Sequence, residues 1–352
     1  MNTFLDDIIK TSQNQYASVV SDGLDGADVR GFVDTGSYSF NALVSGSLYG
    51  GIPDNKIVAL AGEQATGKTF FAISMVSKFL EVNPEGLVLY FDSEQAVTSE
   101  MFTDRGIDAK RIAVFPVSTV EEFRLQAIRI VDQILAKPEK ERKPVMMVLD
   151  SLGMLSTSKE MGDTAEGKEV RDMTRSQVIK STFRVLTLKL GQARIPMILT
   201  NHTYDVVGAY IPTKEMSGGT GLKYAASTIV YLSKKKDKDA ANEVIGNIIT
   251  CKLYKSRLTK ENKTAEVQLN YETGLNKYYG LVDLALRHNI FKKNSTKIEL
   301  PSGKTVFEKQ INNNPEQYFT PEVLQLLETA AEKEYKYGTG NAESDESANS
   351  VE

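Results

Sequence analysis

The chain is poor in the residues that staple or metallate a fold: one cysteine, Cys251, two histidines and no tryptophan in 352 residues. A single thiol excludes an internal disulfide framework, and with two histidines beside it no zinc constellation can be assembled. Long apolar runs are missing too. None approaches the roughly 18 to 20 residues that span a bilayer, and Met1 to Lys10 is a short amphipathic stretch rather than a secretory leader. These absences predict a reducing, cytoplasmic setting with no membrane contact. An excess of positive charge is also absent. The net charge of −4 argues, on totals, against a nucleic-acid partner, since phosphates are bound by clustered cations. That total is weighted by the end of the chain. Residues 337–352, "YGTGNAESDESANSVE", hold acids, Gly, Ser and Asn without an apolar run and are expected to form a disordered acidic tail. Without those acids the remainder is close to neutral.

What the chain does have is enough apolar sequence for a sizeable core. Residues 1–32 read as an amphipathic helix, "TFLDDIIKTSQNQYASVV", on a Gly/Asp-rich linker. Such a helix cannot bury its apolar face alone and is expected to dock on its own domain or on another subunit. From Ile57 short apolar runs alternate with helical patterns, the signature of a mostly parallel α/β sheet. The runs are "KIVALAG", "GLVLYFDSE", "VMMVLDS" and "IPMILTN", with helices expected over 68–80 and 120–136. "STIVYLSK", "IGNIITCKLYK" and "AEVQLNY" follow with almost no helix between them, which predicts antiparallel strands extending the same sheet. The core is expected over 33–280. A small α+β unit over 281–336 combines a helix, a hairpin through "IELPSGKTVFEK" and an amphipathic helix from Pro321.

"GEQATGKT", residues 62–69, matches G-x-x-x-x-G-K-[ST] directly after an apolar strand and before a helical pattern, the context the motif requires. Gly62 and Gly67 permit turns that aim backbone N–H groups at a triphosphate, so Glu63, Gln64, Ala65, Thr66 and Phe70 join them as candidate nucleotide contacts. Lys68 would reach the β- and γ-phosphates, and Thr69 would offer its hydroxyl to Mg²⁺. Asp150, after five apolar residues, is the candidate carboxylate that holds Mg²⁺ through water, although an Asp there could equally cap the next helix. "LVLYFDSEQ" supplies Glu94 as the candidate base for an attacking water, with Asp92 left to structure. "LTNHTYDVVG" ends an apolar strand in Asn201 and His202. His202 could be a general base, a metal ligand, a rim residue or a reporter between two sites.

With these elements in this order, the sequence resembles the RecA-type ATP-dependent recombinases, most closely their UvsX-type phage members. "DTGSYSFNALVSGSLYGGIPDNKIVALAGEQATGKTFFAISMVSKFL", "YFDSEQ", "VLDSLGMLSTSKE", "SGGTGLKYAAS", "KSRLTKENK" and "GLVDLALRHNIF" carry the likeness over residues 33–291. The resemblance implies a RecA-like ATPase with ATP and Mg²⁺ as cofactors. It also implies a head-to-tail helical filament of identical subunits that holds single-stranded DNA, pairs it with a homologous duplex and exchanges strands. Single-strand-binding and loading proteins are implied as further partners, and the host-cell cytoplasm as the place for a phage-encoded chain. Two DNA-binding loops are implied, near 156–168 and 203–221. They bring Lys159, Lys168, Arg171 and Arg175 for the first, and Thr203, Gly218, Gly219, Thr220 and Gly221 for the second. Lys255 and Arg257 stand where the family places cations that reach a neighbouring subunit's γ-phosphate.

Two departures stand out. The family's adenine-stacking tyrosine falls on Met101, with Phe102 beside it, and the residue after Asn201, often Gln in bacterial relatives, is His202. Acids interleave the first loop's cations: Glu160, Asp163, Glu166, Glu169 and Asp172. On charge alone that stretch reads as a solvated face, and what favours DNA is that backbone N–H groups and short side chains at Gly218, Gly219, Thr220 and Gly221 can also hold phosphates. The expected activity is DNA-dependent ATP hydrolysis coupled to strand exchange. A hexameric helicase motor, or a scaffold that binds ATP only to assemble, shares the phosphate loop and remains open at this point. If Asn201 and His202 sense the γ-phosphate, they would pass its presence to the second loop.

Overall fold

The computed structural model of the chain describes residues 3–24, 26–168, 172–205, 214–239 and 241–338. The acidic tail from 339 on, Arg171, and residues 206–213 of the second expected loop lie outside them. Helix α1 (Thr3–Ser12) opens the chain, and strands β1 (Phe32–Val33) and β2 (Ile52–Pro53) bracket α2 (Tyr38–Ser45). The core alternates β3 (Ile57–Gly62), α3 (Lys68–Val82), β4 (Leu87–Asp92), α4 (Ser99–Thr103), β5 (Ile112–Pro116), α5 (Val120–Leu135) and β6 (Val145–Asp150). It continues through α6 (Ser158–Ala165), α7 (Arg175–Ala193), β7 (Met197–Asp205), β8 (Lys214–Met216) and α8 (Gly219–Ala225). Then come β9 (Thr228–Lys238), β10 (Val244–Ser256), β11 (Thr264–Asn270) and β12 (Gly274–Leu275). The last unit holds α9 (Leu281–Arg287), β13 (Lys292–Asn294), β14 (Lys297–Glu299), β15 (Thr305–Phe307), α10 (Glu308–Asn313), α11 (Pro315–Tyr318) and α12 (Pro321–Tyr335).

The main sheet runs β12-β11-β10-β9-β3-β7-β6-β4-β5, with β8 added to the end of β7. Strands β9, β3, β7, β6, β4 and β5 are mutually parallel, and β10, β11 and β12 extend them antiparallel. The run "STIVYLSK" therefore departs from its antiparallel expectation. Helix α8 returns the chain to the starting edge of the sheet, where Ser227 N donates to Ile57 O, so β9 sets out parallel to β3. Register then does the positioning. Gly62 lies beside His202 and Asp92 beside Asp150, so the polar ends of β3, β4, β6 and β7 emerge on one edge. Ligands of open α/β sheets bind at this carboxyl edge.

Strands buried on both faces explain the nearly unbroken apolar runs. One face carries α2, α3 and the C-terminal unit, and Leu281, Phe291, Leu327 and Tyr335 share a cluster with Leu60 and Phe71. The small unit is thus fused to the core rather than tethered to it. Within the unit Glu334 of α12 meets His288 Nε2 at 2.8 Å and Arg287 Nε at 3.3 Å, and it lies 3.9 Å from Lys263 Nζ of the core. The linker after α1 also packs on its own core, where Asn55 Nδ2 donates to Asp28 O at 2.8 Å and Lys56 Nζ to Ala27 O at 2.6 Å. Helix α1 leaves Phe4 and Ile8 exposed. The other face of the sheet carries α5 and α7, joined to β4 through Phe91, Phe123 and Phe183. Helix starts follow their caps: Ser37 accepts from Phe40 N, Thr119 from Glu122 N, and Thr320 from Val323 N ahead of Pro321. Among the described residues no helix is long and apolar enough to cross a membrane.

Phe91 is fully buried, stacked on Phe115 at 5.0 Å and edge-on to Phe123 at 5.0 Å. Phe91→Ala is expected to cost about 3–5 kcal/mol, read as a lower urea midpoint, and Phe91→Leu clearly less.

Candidate nucleotide and DNA sites

Strand β3 ends in Gly62 because a Cβ there would lie 2.7 Å from Thr66 Oγ1 and 2.8 Å from Leu232 O. Gly67 caps α3 with φ +91°, and its missing side chain leaves room for Leu269 and Ile249 of the antiparallel strands. The loop between them folds back on the cation that follows it, the first residue of α3. Lys68 Nζ donates to Gly62 O at 3.0 Å and Glu63 O at 2.8 Å. Burial pushes this ammonium down from its ordinary range, while Glu94 and Asp150 oppose the shift.

Asp150, at the end of β6, is buried and accepts from Thr69 Oγ1 at 2.8 Å and Tyr90 OH at 2.8 Å. Its second oxygen accepts from Thr200 Oγ1. The Thr69 hydroxyl beside a buried carboxylate is a hard-oxygen pair suited to Mg²⁺, which favours a few protein oxygens and keeps several waters. No group of three or more acids, histidines or cysteines is gathered as a protein cage among the described residues.

Asp92 Oδ1 accepts from Glu94 N at 3.0 Å and Gln95 N at 2.9 Å, so Asp92 builds the turn that presents Glu94. Glu94 Oε1 accepts from Ser151 Oγ at 2.8 Å and meets His202 Nε2 at 3.0 Å. Burial alone would push the Glu94 carboxyl up. The His202 and Ser151 hydrogen bonds and the field of Lys68 outweigh that and hold it below the usual carboxylate range. Glu94 is therefore an ionised acceptor at neutral pH.

These groups line a cleft of about 340 Å³ together with Met101 and Phe70. Phe102, expected beside the nucleotide base, is instead buried edge-on to Tyr90, because helix α4 turns it into the core. The aromatic wall comes from elsewhere: Tyr271, just after β11, lines the cleft with Asn247 and Lys234. Asn247 Nδ2 donates to Tyr271 OH at 3.2 Å. Sequence reasoning missed these three, along with Ser151, Thr200 and Tyr90. Ser151 was legible as the polar neighbour of Asp150. A tyrosine ending an amphipathic strand carries no local signal.

The first expected DNA loop holds helix α6, set by a capping box between Thr157 and Glu160. Its cations are engaged within the chain: Lys159 lies 4.0 Å from Asp172, and Lys168 pairs with Glu166. Arg175 turns inward, donating to Gly153 O at 3.0 Å and Leu155 O at 2.9 Å. Hydrogen bonds from Thr157 and Thr174 hold Asp172 down to about 2. In the second expected loop, β7 and β8 form a hairpin between Thr203 and Met216. Gly218 and Gly219 start α8, Thr220 lies in its first turn, and Gly221 allows α8 to approach the Lys180 backbone. The two regions meet: Glu160, Asp172, Arg175, Tyr204, Gly218 and Gly219 line one groove of about 510 Å³. Arg175 Nε and Thr203 Oγ1 lie buried without a hydrogen-bond partner.

Lys255 and Arg257 stand at the far edge of the sheet. Lys255 pairs with Ile229, which is level with Ala59, whereas Gly62 of the phosphate loop is level with Leu232. Lys255 Nζ donates to Ala226 O at 2.8 Å and Arg257 Nη2 to Tyr224 O at 3.1 Å. Burial and the neighbouring Arg257 push the Lys255 ammonium down.

The sequence model of the RecA N-terminal domain matches residues 5–276. The recombination and repair protein of Enterobacteria phage T4 is 33% identical over 246 residues, covering 70% of this chain and 61% of the phage protein. Protein RecA of Clavibacter michiganensis is 26% identical over 294 residues, covering 81% of this chain and 76% of its own length. Protein RecA of Mycoplasmopsis pulmonis is 27% identical over 260 residues, covering 74% and 72%. The match to the phage protein thus spans less than two thirds of that protein's length. A parallel sheet with a phosphate loop on β3, Glu94 after β4 and Asp150 ending β6 lies within the matched residues, and the chain belongs to the RecA family.

Proposed function

We propose that this chain is an ATP-dependent DNA recombinase. It would be a DNA-dependent ATPase that assembles head to tail on single-stranded DNA and pairs that strand with a homologous duplex. The observation that carries the reading is the contact between Glu94 and His202, because β7 runs on from His202 into the second loop region. A carboxylate of the cleft thereby touches the strand that, two residues on at Tyr204, lines the groove between the loops. Site of action in a host-cell cytoplasm, and single-strand-binding and loading partners, follow from the same reading.

In the proposed reaction Lys68 exchanges its two carbonyl partners for phosphate oxygens. Thr69 and Asp150 would hold Mg²⁺, which when bound neutralises charge on the phosphates. Glu94, kept ionised by its donors, orients the attacking water. Lys255 and Arg257, at the edge opposite Lys68, can reach a transferring phosphoryl group only in a neighbouring copy. Duplex homology would be read by base pairing, and the backbone N–H groups at 218 and 219 would track DNA phosphates without sequence preference.

Glu94→Gln is expected to lower turnover by at least about 100-fold while nucleotide remains bound, measured as steady-state hydrolysis beside equilibrium binding. Unchanged turnover would remove Glu94 from the mechanism. Single-stranded DNA should stimulate hydrolysis and give long filaments by electron microscopy. Closed hexameric rings with unwinding activity would favour the helicase reading, and absent turnover the scaffold.

His202→Ala should abolish the DNA stimulation, whereas His202→Gln, which keeps a side-chain donor for Glu94, should retain most of it. The Ala variant also removes a hydrogen bond that lowers the Glu94 carboxyl. The carboxylate is active when ionised, so the acid limb of its pH–rate profile should move to higher pH than in the parent, with the Gln variant between.

A further inference from the structure

The phosphate loop contains an alanine in the left-handed region: Ala65 has φ +57°. A residue with a Cβ stays there when its surroundings hold it. What holds it comes from outside the motif. Lys234 of β9 donates from Nζ to Ala65 O at 2.7 Å. Strand β9 pairs with β3 up to Leu232 beside Gly62, so Lys234 stands two residues past the paired stretch, above the loop, where it lines the nucleotide cleft. The field of Lys234 is felt by both Glu63 and Lys68, which it helps to hold down.

The geometry points to Lys234 as a positioning residue for nucleotide binding. In a planar trans peptide the carbonyl of one residue and the N–H of the next point in opposite directions. With Ala65 O drawn to Lys234, the Thr66 N–H points the other way. Thr66 is itself fixed, buried and donating from Oγ1 to Glu63 O at 2.9 Å. Lys68 holds the carbonyls of Gly62 and Glu63 and Lys234 holds that of Ala65, so two ammonium groups between them set the peptide planes of the loop. Lys68 must leave its carbonyls to meet phosphate oxygens, whereas Lys234 has no such second duty and can keep Ala65 in place throughout. The cradle formed by loop N–H groups embraces the phosphates shared by di- and triphosphate. Loss of Lys234 therefore costs affinity for both nucleotides alike.

This inference rests on the nucleotide reading of the cleft, and the test separates the two. ADP and a non-hydrolysable ATP analogue are titrated calorimetrically, with Mg²⁺, into the full chain, Lys234→Met, Lys234→Arg and Lys68→Ala. The parent should bind both nucleotides and Lys68→Ala should lose most of the affinity; a parent that binds neither overturns the nucleotide reading itself. Lys234→Met should weaken ADP and the ATP analogue by the same factor, about five- to tenfold, the range of one charge-assisted hydrogen bond at a half-open site, and Lys234→Arg should restore it. Lys234 is exposed, so the fold should survive the change, which an unaltered thermal midpoint verifies. Parent-like binding of both nucleotides by Lys234→Met would overturn the proposal. So would a loss confined to the ATP analogue, which would make Lys234 a γ-phosphate contact. Weakened single-stranded DNA binding with unchanged nucleotide affinity would overturn it as well.

Discussion

The carboxylate of Asp150 accepts hydrogen bonds from hydroxyls on three other parts of the fold: Thr69 on α3, Tyr90 on β4 and Thr200 on β7. A buried charge is tolerable only with such partners, and here the partners are the pieces that must be held together. Thr69 brings the start of the phosphate-loop helix. Thr200 lies one residue from Asn201 and two from His202, and Tyr90 stiffens the strand that ends in the Glu94 turn. Ser151 adds a further link by donating to Glu94, while Ser93 donates to the Ser151 carbonyl at 2.7 Å. Remove the Asp150 charge and three elements lose their common acceptor at the point where the phosphates would sit.

Much of this was legible in the sequence because the fold expresses it locally. The phosphate loop is a contiguous motif, and Asp150 and Glu94 end strands whose apolar runs announce them. What was not legible depends on register between distant strands. Asn247 and Tyr271 reach the candidate nucleotide cleft because β10 and β11 are stacked outward from β9, which no spacing within either segment reveals. Phe102 shows the converse. A one-residue rotation on α4 sends it into the core and leaves Met101 at the cleft.

The first region expected to meet DNA is the place where composition and structure speak to each other most directly. Two of the interleaved acids that made this stretch read as a solvated face, Asp172 and Glu166, are the partners of Lys159 and Lys168, and Arg175 is spent on the carbonyls that follow β6. The loops nevertheless converge on one groove lined by Arg175, whose Nε is orphaned, and by Tyr204, whose neighbour Thr203 buries an orphaned Oγ1. Buried polar atoms without partners are uncommon in folded proteins, and both sit where β7 and α7 flank the groove.

Strand β10 has a consequence for how copies of this chain would be spaced. Asn247, near one end, lines the chain's own candidate nucleotide cleft, and Lys255, near the other, carries a cation at the opposite edge of the sheet. They lie eight residues apart on one continuous strand, about 27 Å at the rise of an antiparallel ladder. As far as Lys252 the strand is paired on both sides, and from there through a register shift to Lys255 it stays paired to β9, so it does not stretch. In an assembly where Lys255 serves the next copy's nucleotide, β10 would be a strut of fixed length between successive nucleotides, so that a change in subunit spacing would have to come from tilting whole sheets rather than from extending any segment within them.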